Sequence, residues 1–290
     1  MSQKTKIGLF ADNHEGGYEK CIARAMQDHS VDLIVGLGDI IDVDNGPGDM
    51  IRNLSPFCRT KIPTYVIPGN HESYHTWHEA CKFLGLKYPN FHDATRNKIH
   101  AFNNLNMLFI PGTERCIEGE FRISNACKSG LHKNGMNHYV TNLKQLKKEI
   151  LKHKLNLERT ILFCHDPPEQ TYKNGTDSLI NIEDISTYHY SDLIKIKDDE
   201  KELYEQEILM GQGSTLVRHF AFSLNLQVIL SGHIHRTSAI TLDGIDILEN
   251  QKSKSLLLNP GPANEGNYAI VHVESNGTIQ LVNYFRGKVN

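Results

Sequence analysis

An α/β fold of two packed, mixed β-sheets with helices on their outer faces follows from three features of this 290-residue chain. The first part alternates short apolar runs with helix-period segments, the order expected of parallel strands joined by right-handed crossovers. The C-terminal part holds apolar runs with no helical segment between them, which reads as antiparallel pairing. Five of the apolar runs end in Asp, Asn or His, and the carboxyl edge of an open α/β sheet is where sites form.

The elements follow in order. "KIGLFA" (6–11) reads as a strand, and 17–29 carries a helical pattern. "VDLIVGL" (31–37) is a buried strand, and a helix follows Pro47. "IPTYVI" (62–67) is β-branched and aromatic, hence a third strand, and a helix over 73–84 starts with Ser73 as N-cap. "NMLFIPG" (106–112) resembles a strand, whereas 113–137, rich in Gly, Asn and polar residues, reads as a long loop. Residues 138–155 place Leu and Lys at helical spacing. "TILFCHD" (160–166) and "LQVILSGHIH" (226–235) are further strands. "SLLLNPG", "NYAIVHVES" and "TIQLVNYFRG" complete the chain, with Asn276-Gly277 as the hairpin signal between the last two. One domain over 1–290 is expected. Residues 167–211 follow Pro167-Pro168 and carry Asp198, Asp199, Glu200 and Glu202. They read as an insertion, either a lid or a solvated surface excursion.

Composition narrows the function classes. Hydrophobic residues make up 39% and charged residues 22%, as in ordinary globular proteins. A net charge of −3 argues against a strongly basic nucleic-acid coat. It leaves room for a local basic groove; the Lys/His-rich stretch 128–154 reads first as a solvated helix face, with a nucleic-acid face as its alternative. There is no apolar signal core and no run of about 18 apolar residues, so a cytoplasmic chain without membrane contact is expected. Six cysteines without C-x-x-C spacing read as reduced, mostly buried thiols.

His71-Glu72-Ser73-Tyr74-His75 spells H-E-x-x-H, a zinc-protease string. That chemistry needs both histidines on one face of an established helix. Here Pro68-Gly69 breaks the chain just before, and Ser73 is the expected N-cap. His71 then precedes the helix, and the peptidase reading fails.

The strand ends offer a better constellation. They deliver Asp12-Asn13-His14, Gly38-Asp39-Ile40-Ile41-Asp42, Gly69-Asn70-His71-Glu72, His165-Asp166 and Gly232-His233-Ile234-His235. Side chains at i and i+2 of an extended segment point the same way, so Asp12 with His14, and His233 with His235, can each aim at one centre. Carboxylate, imidazole and amide ligands suit borderline divalent cations such as Mn, Fe, Zn or Ni better than Ca. Seven candidate ligands are too many for one ion and fit two, with one Asp as bridge.

This ordered set resembles the calcineurin-like metallophosphoesterases, whose pattern is D-x-H, G-D-x-x-D, G-N-H-[D/E], a later H, then G-H-x-H. "NPGP" (259–262) resembles the N-P-G turn that closes their core, with Pro262 in place of a small polar residue. The likeness runs from about residue 6 to 285. It implies that Asp12, His14 and His235 hold one metal, that Asn70, His165 and His233 hold the other, and that Asp39 bridges. It implies His71 as the proton donor and Asp42 as the carboxylate that orients it. The other reading of Asp42 is a helix N-cap. The implied cofactors are two divalent ions, Mn first, with Fe, Zn, Ni or Mg as alternatives.

The implied reaction is phosphoester hydrolysis by a hydroxide bridging the metals, with His71 protonating the leaving oxygen. Protein Ser/Thr phosphatases of the family carry arginines where this chain has Val43 and Pro68. A nucleotide or other small phosphodiester is therefore the expected substrate. A DNA exonuclease or endonuclease similar to recombination-repair nucleases is the second reading. A non-enzymatic scaffold of the same fold is the third, and the presence of all seven ligands and His71 speaks against it.

Overall fold

The computed structural model describes residues 3–114, 119–126, 129–133, 137–169 and 213–290. One six-stranded sheet comprises β1 (Gln3–Phe10), β2 (Leu33–Gly36), β3 (Thr64–Val66), β4 (Phe91–Asp93), β14 (Asn267–Ser275) and β15 (Ile279–Lys288). Its order is β15-β14-β1-β2-β3-β4. β1 to β4 run parallel, and β14 and β15 add to β1 as an antiparallel hairpin. Gly277 takes the positive φ (81°) that the tight turn between β14 and β15 requires.

The second sheet comprises β5 (Ile99–Phe102), β6 (Leu105–Ile110), β10 (Thr160–Cys164), β11 (Val228–Leu230), β12 (Ser238–Ile240) and β13 (Leu256–Asn259). Its order is β12-β13-β11-β10-β6-β5. Its four central strands are parallel and both edges antiparallel.

Period-two alternation builds the layers. On β1, Ile7 and Leu9 face the second sheet and pack with Met107, Phe109, Ile161, Phe163, Val228 and Leu230. Phe10 points the other way and stacks on Phe57 at 4.0 Å. That outer face is covered by α1 (Glu19–Asp28), α2 (Pro47–Arg59) and α3 (Tyr74–Lys87). On the far side, Leu108, Ile110 and Leu162 pack under α4 (Leu143–Lys152) and α5 (Thr215–Ser223). Each fully buried Leu, Ile or Phe contributes about 1.5–3 kcal/mol, so the interlayer cores dominate the stability. The two-sheet α/β sandwich expected from the sequence is the architecture observed.

Several local expectations need correction. Residues 113–137 are not simply a loop. β7 (Phe121–Ser124), β8 (Gly130–Lys133) and β9 (Asn137–Asn142) form a small sheet in the order β7-β9-β8. Phe121 and Ile123 are buried while Arg122 and Ser124 are not, an alternation too short to stand out from its polar surroundings. The helix expected over 138–155 begins only at Leu143, where Asn142 caps it by accepting the Gln145 N–H. Lys144, Lys148 and Lys152 lie on its exposed face, opposite buried Leu143, Leu146 and Ile150. α5, β4, β5 and β12 have no counterpart in the sequence reading. α2 starts after Gly46, whose N–H donates to Asp49, so Asp42 is not its N-cap.

From residue 170 the expected insertion lies outside the described residues. Its flanks meet, with Ser214 N–H donating to Pro167 O (2.7 Å) and Glu169 N–H to Ser214 O (3.1 Å). Cys58, Cys81 and Cys164 are buried free thiols, and Cys21 is an exposed one. No helix among the described residues is long and apolar enough to cross a membrane.

Candidate metal centre

The carboxyl ends of β1, β2 and β3 lie at one edge of the first sheet, and those of β10 and β11 at one edge of the second. Hydrogen bonds join the two edges. His165 Nδ1–H donates to Leu37 O (2.7 Å), and the His233 N–H donates to Asp12 Oδ1 (3.0 Å). Buried Asn259, which ends β13 and opens the "NPGP" turn, donates to both Gly232 O and Ile234 O at 2.8 Å and so holds the G-H-x-H loop.

The loops are tight. Asp12, His14, Asp39 and His233 have φ of 53°, 46°, 49° and 69°. Left-handed backbone costs an L-residue about 1–2 kcal/mol. Non-glycine residues in that region gather at ligand sites when the surrounding structure holds them there. Here Asn13 and His14 both donate their N–H groups to Asp39 O, at 2.7 and 3.1 Å. Loops 38–39 and 69–70 touch so closely that a Cβ on Gly38 would lie 2.7 Å from Gly69 N. A Cβ on Gly69 would collide with the Asp39 carboxylate.

Ligand atoms converge in three groups: Asp12, His14 and His235; His14, Asp39 and His71; Asp39, His165 and His233. Within each group they lie within 4.8 Å of one another. Asn70 joins the third, its Oδ1 3.0 Å from His165 Nε2. All seven residues expected as ligands, and His71, are therefore gathered at one place. Asp42 lies beside them, and its position is informative. Its Oδ1 is 2.8 Å from His14 Nδ1 but 3.6 Å from His71 Nδ1, so its closer partner is His14.

The donor set fits divalent metal. His165 spends its Nδ1–H on the Leu37 carbonyl, so a neutral ring turns its Nε2 lone pair inward. That lone pair faces two acceptors, Asn70 Oδ1 at 3.0 Å and Asp39 Oδ2 at 3.2 Å. Three lone pairs on one spot require a positive charge between them, either a proton or a cation. His14 repeats the arrangement: its Nδ1 is held by Asp42, and its Nε2 lies 2.9 Å from His235 Nε2. Asp12 Oδ2 is buried and has no hydrogen-bond partner. An imidazole whose outer nitrogen is fixed by a carboxylate or carbonyl is the usual form of a metal-ligating histidine.

In the metal-free chain, protons supply that charge. Burial opposes a charged His165, but the Asp39 carboxylate outweighs it and raises the pKa to about 10. Burial likewise opposes a charged His14, and Asp39, Asp12 and Asp42 together raise it. Asp39 would be pushed up by burial, yet His165 holds it far below the usual carboxylate range. His233 is driven down to about 3 by burial and the neighbouring His165 charge. A cation must displace the proton on His165, so acid weakens its binding.

Sequence reasoning gave no role to three residues that build this centre. Asn53 donates to His14 O (3.3 Å) and Ile40 O (2.9 Å), and no local motif marks it. Asn259 and Glu72 stand inside recognised motifs, but the partners that tie them to other loops, Gly232 and Ile234 for Asn259 and Ile40 for Glu72, are far away in the chain. Glu72 is fully buried, and burial, with the nearby Asp39 charge, raises its pKa.

The H-E-x-x-H string dissolves. Ser73 caps α3 by accepting the Thr76 N–H at 3.1 Å, so His71 precedes the helix. His75 is exposed and belongs to none of the three groups. His75→Ala is expected to keep its full metal content by elemental analysis and to shift stability by no more than about 0.5 kcal/mol. Loss of an ion would reveal a ligand at His75.

Residues 5–237 match the calcineurin-like phosphoesterase family. No curated protein matches the chain. Among solved structures, one from Thermus thermophilus is 13% identical with a TM-score of 0.61, and the alignment covers 95% of this chain and 100% of that one. A second is 14% identical with a TM-score of 0.59, covering 99% of each chain. A dimetal phosphatase from Danio rerio is 13% identical with a TM-score of 0.47, covering 97% of this chain and 99% of its own. At such identities the first two likenesses are of fold. The family match takes in β1 to β11 and every strand-end motif through His235, and on it this chain belongs to the calcineurin-like phosphoesterases.

Proposed function

We propose that this chain hydrolyses a nucleotide-like or other small phosphodiester, using two divalent cations, Mn first among them. The observation that carries this reading is the sharing of Asp39 between two groups of convergent ligand atoms, one reaching His14 and His71, the other His165 and His233. In this reading Asp12, His14 and His235 would hold one ion, Asn70, His165 and His233 would hold the other, and Asp39 would be shared by both. When bound, such ions would neutralise the anionic ester and lower the pKa of a nearby water.

The chain's own groups do the rest. The N–H groups of Asn70 and His71 fix Asp39 Oδ1, at 2.8 and 3.0 Å, so the carboxylate is oriented before any ion or substrate arrives. His71 lies at the rim, neither fully buried nor among the seven ligands, and donates a proton to the departing oxygen. Asp42 orients the imidazoles beside it, His14 by a direct contact and His71 from 3.6 Å.

Substrate class rests on two motif positions. Val43, 42% exposed, and Pro68 stand where the protein phosphatases of the family carry phosphate-clamping arginines. A phosphate monoester carries more charge than a diester and gains more from such a clamp. Diesters are therefore favoured.

The test is turnover by the Mn-reconstituted full chain across a panel: bis-p-nitrophenyl phosphate, p-nitrophenyl phosphate, a cyclic nucleotide, a dinucleoside polyphosphate and single-stranded DNA. Hydrolysis of the bis-ester and a nucleotide, abolished by chelator and restored by Mn, is the expected result. Preference for DNA would favour a nuclease. No turnover of any member with two ions bound would leave the scaffold reading.

A further inference from the structure

Glu72 is a buried carboxylate beside the centre to which the proposed reaction gives no part. Its Oε1 accepts the Ile40 N–H at 2.5 Å, and its Oε2 accepts the Gly69 N–H at 2.8 Å. The first amide follows Asp39 and the second precedes Asn70. In the opposite direction, Asp39 Oδ1 accepts the N–H groups of Asn70 and His71. The loops after β2 and β3 are thus bonded in both directions: Asp39 accepts two N–H groups from the loop after β3, and Glu72, on that loop, accepts one from the loop after β2 and one from its own.

The chemistry of the residue matters as much as its place. A carboxylate offers two acceptor oxygens and no donor, so it can satisfy two convergent N–H groups. An amide of the same shape offers one oxygen, and its NH2 would oppose the second N–H. Burying a second carboxylate near Asp39 is electrostatically costly, and an apolar filler of the same volume would carry no such cost. A filler, however, would leave both amides unpaired and the spacing of the two loops undefined.

We propose that Glu72 is a positioning residue that sets the separation of Asp39 from Asn70, and through it the affinity of the Asn70, His165 and His233 side of the centre for its ion. This rests on the dinuclear reading proposed above. The Asp12, His14 and His235 side shares Asp39 but not Asn70, and its own three side chains come from the loops after β1 and β11, neither of which Glu72 touches.

The experiment measures Mn binding to the full-length chain by competition with a chromophoric chelator. The wild type is expected to take up two ions. In Glu72→Gln one binding constant is expected to weaken about 10–100-fold, the usual effect of removing a partner that orients a ligand, while the other holds. His14→Ala identifies the affected side: alone it should retain one ion through dialysis, and combined with Glu72→Gln none. Equal weakening of both ions in Glu72→Gln would mean a general structural role and overturn the inference, as would two unchanged constants. If Glu72→Gln does not fold, amide hydrogen exchange on the metal-free wild type decides. The Ile40 and Gly69 amides should exchange slowly, and exchange as fast as in exposed loops would overturn the clamp. A wild type that binds fewer than two ions would defeat the dinuclear reading itself, and the amide exchange would still judge the clamp separately.

Discussion

Asp39→Asn is expected to release metal from both sides of the centre and to abolish phosphoester turnover while the chain stays folded. Asp39 is 1% exposed. Its Oδ1 is committed to two backbone N–H groups, and its Oδ2 lies 3.2 Å from His165 Nε2 and 3.8 Å from His71 Nε2. In the variant the Asn oxygen can keep the two backbone bonds. The amide nitrogen then occupies the position of Oδ2, placing a donor where, on the proposed dinuclear reading, both ions would need an anionic ligand. Losing a residue that merely orients a ligand costs about 10–100-fold in metal affinity, so losing the shared ligand is expected to exceed about 100-fold at both sides. The fold should tolerate the change, because Asn is among the few residues that accept the left-handed conformation found at position 39 (φ 49°). Elemental analysis after dialysis, with a thermal melt as control, makes the measurement. His14→Ala is the comparator and should weaken one side only. A folded Asp39→Asn protein that holds two ions tightly would remove Asp39 from the bridging role.

His71→Gln is expected to keep both ions and to lose about 10²–10⁴-fold in rate on an alkyl or nucleoside diester. The loss should be much smaller on a p-nitrophenyl ester. General-acid help matters in proportion to the basicity of the leaving oxygen. A p-nitrophenolate departs unaided, whereas a ribose alkoxide does not. The position of His71 suits a proton donor. Its side chain is 16% exposed, its Nδ1 faces Asp42, and its ring packs edge-on against His14 at 4.8 Å. The comparison is a ratio within one variant, so errors in enzyme concentration and metal loading cancel. Equal losses on both esters, with metals retained and chemistry limiting, would assign His71 to positioning phosphate or water.

What the sequence could and could not carry follows the range of each interaction. Residues 7–11 are a continuous apolar run, which marks β1 as a strand but does not say which side chain meets which layer. Asp12, Asp39, Asn70, His165 and His233 each follow an apolar run directly, so local order was enough to bring them to the carboxyl edge of a sheet and to nominate them as ligands. Asn276-Gly277 marked its hairpin for the same reason. The small sheet β7-β9-β8 escaped because its strands are short and their apolar positions, such as Phe121 and Ile123, are separated by polar residues. The tertiary structure alone decided which side chains converge. It set Asp42 closer to His14 than to His71, turned the lone pairs of His165, Asn70 and Asp39 onto one spot, and tied Ile40 to Glu72 and Gly232 to Asn259. Those contacts join residues from 27 to 126 positions apart. A strand's own pattern says which face is buried, but the partner across a loop or sheet edge depends on strand order and register, which long-range pairing sets.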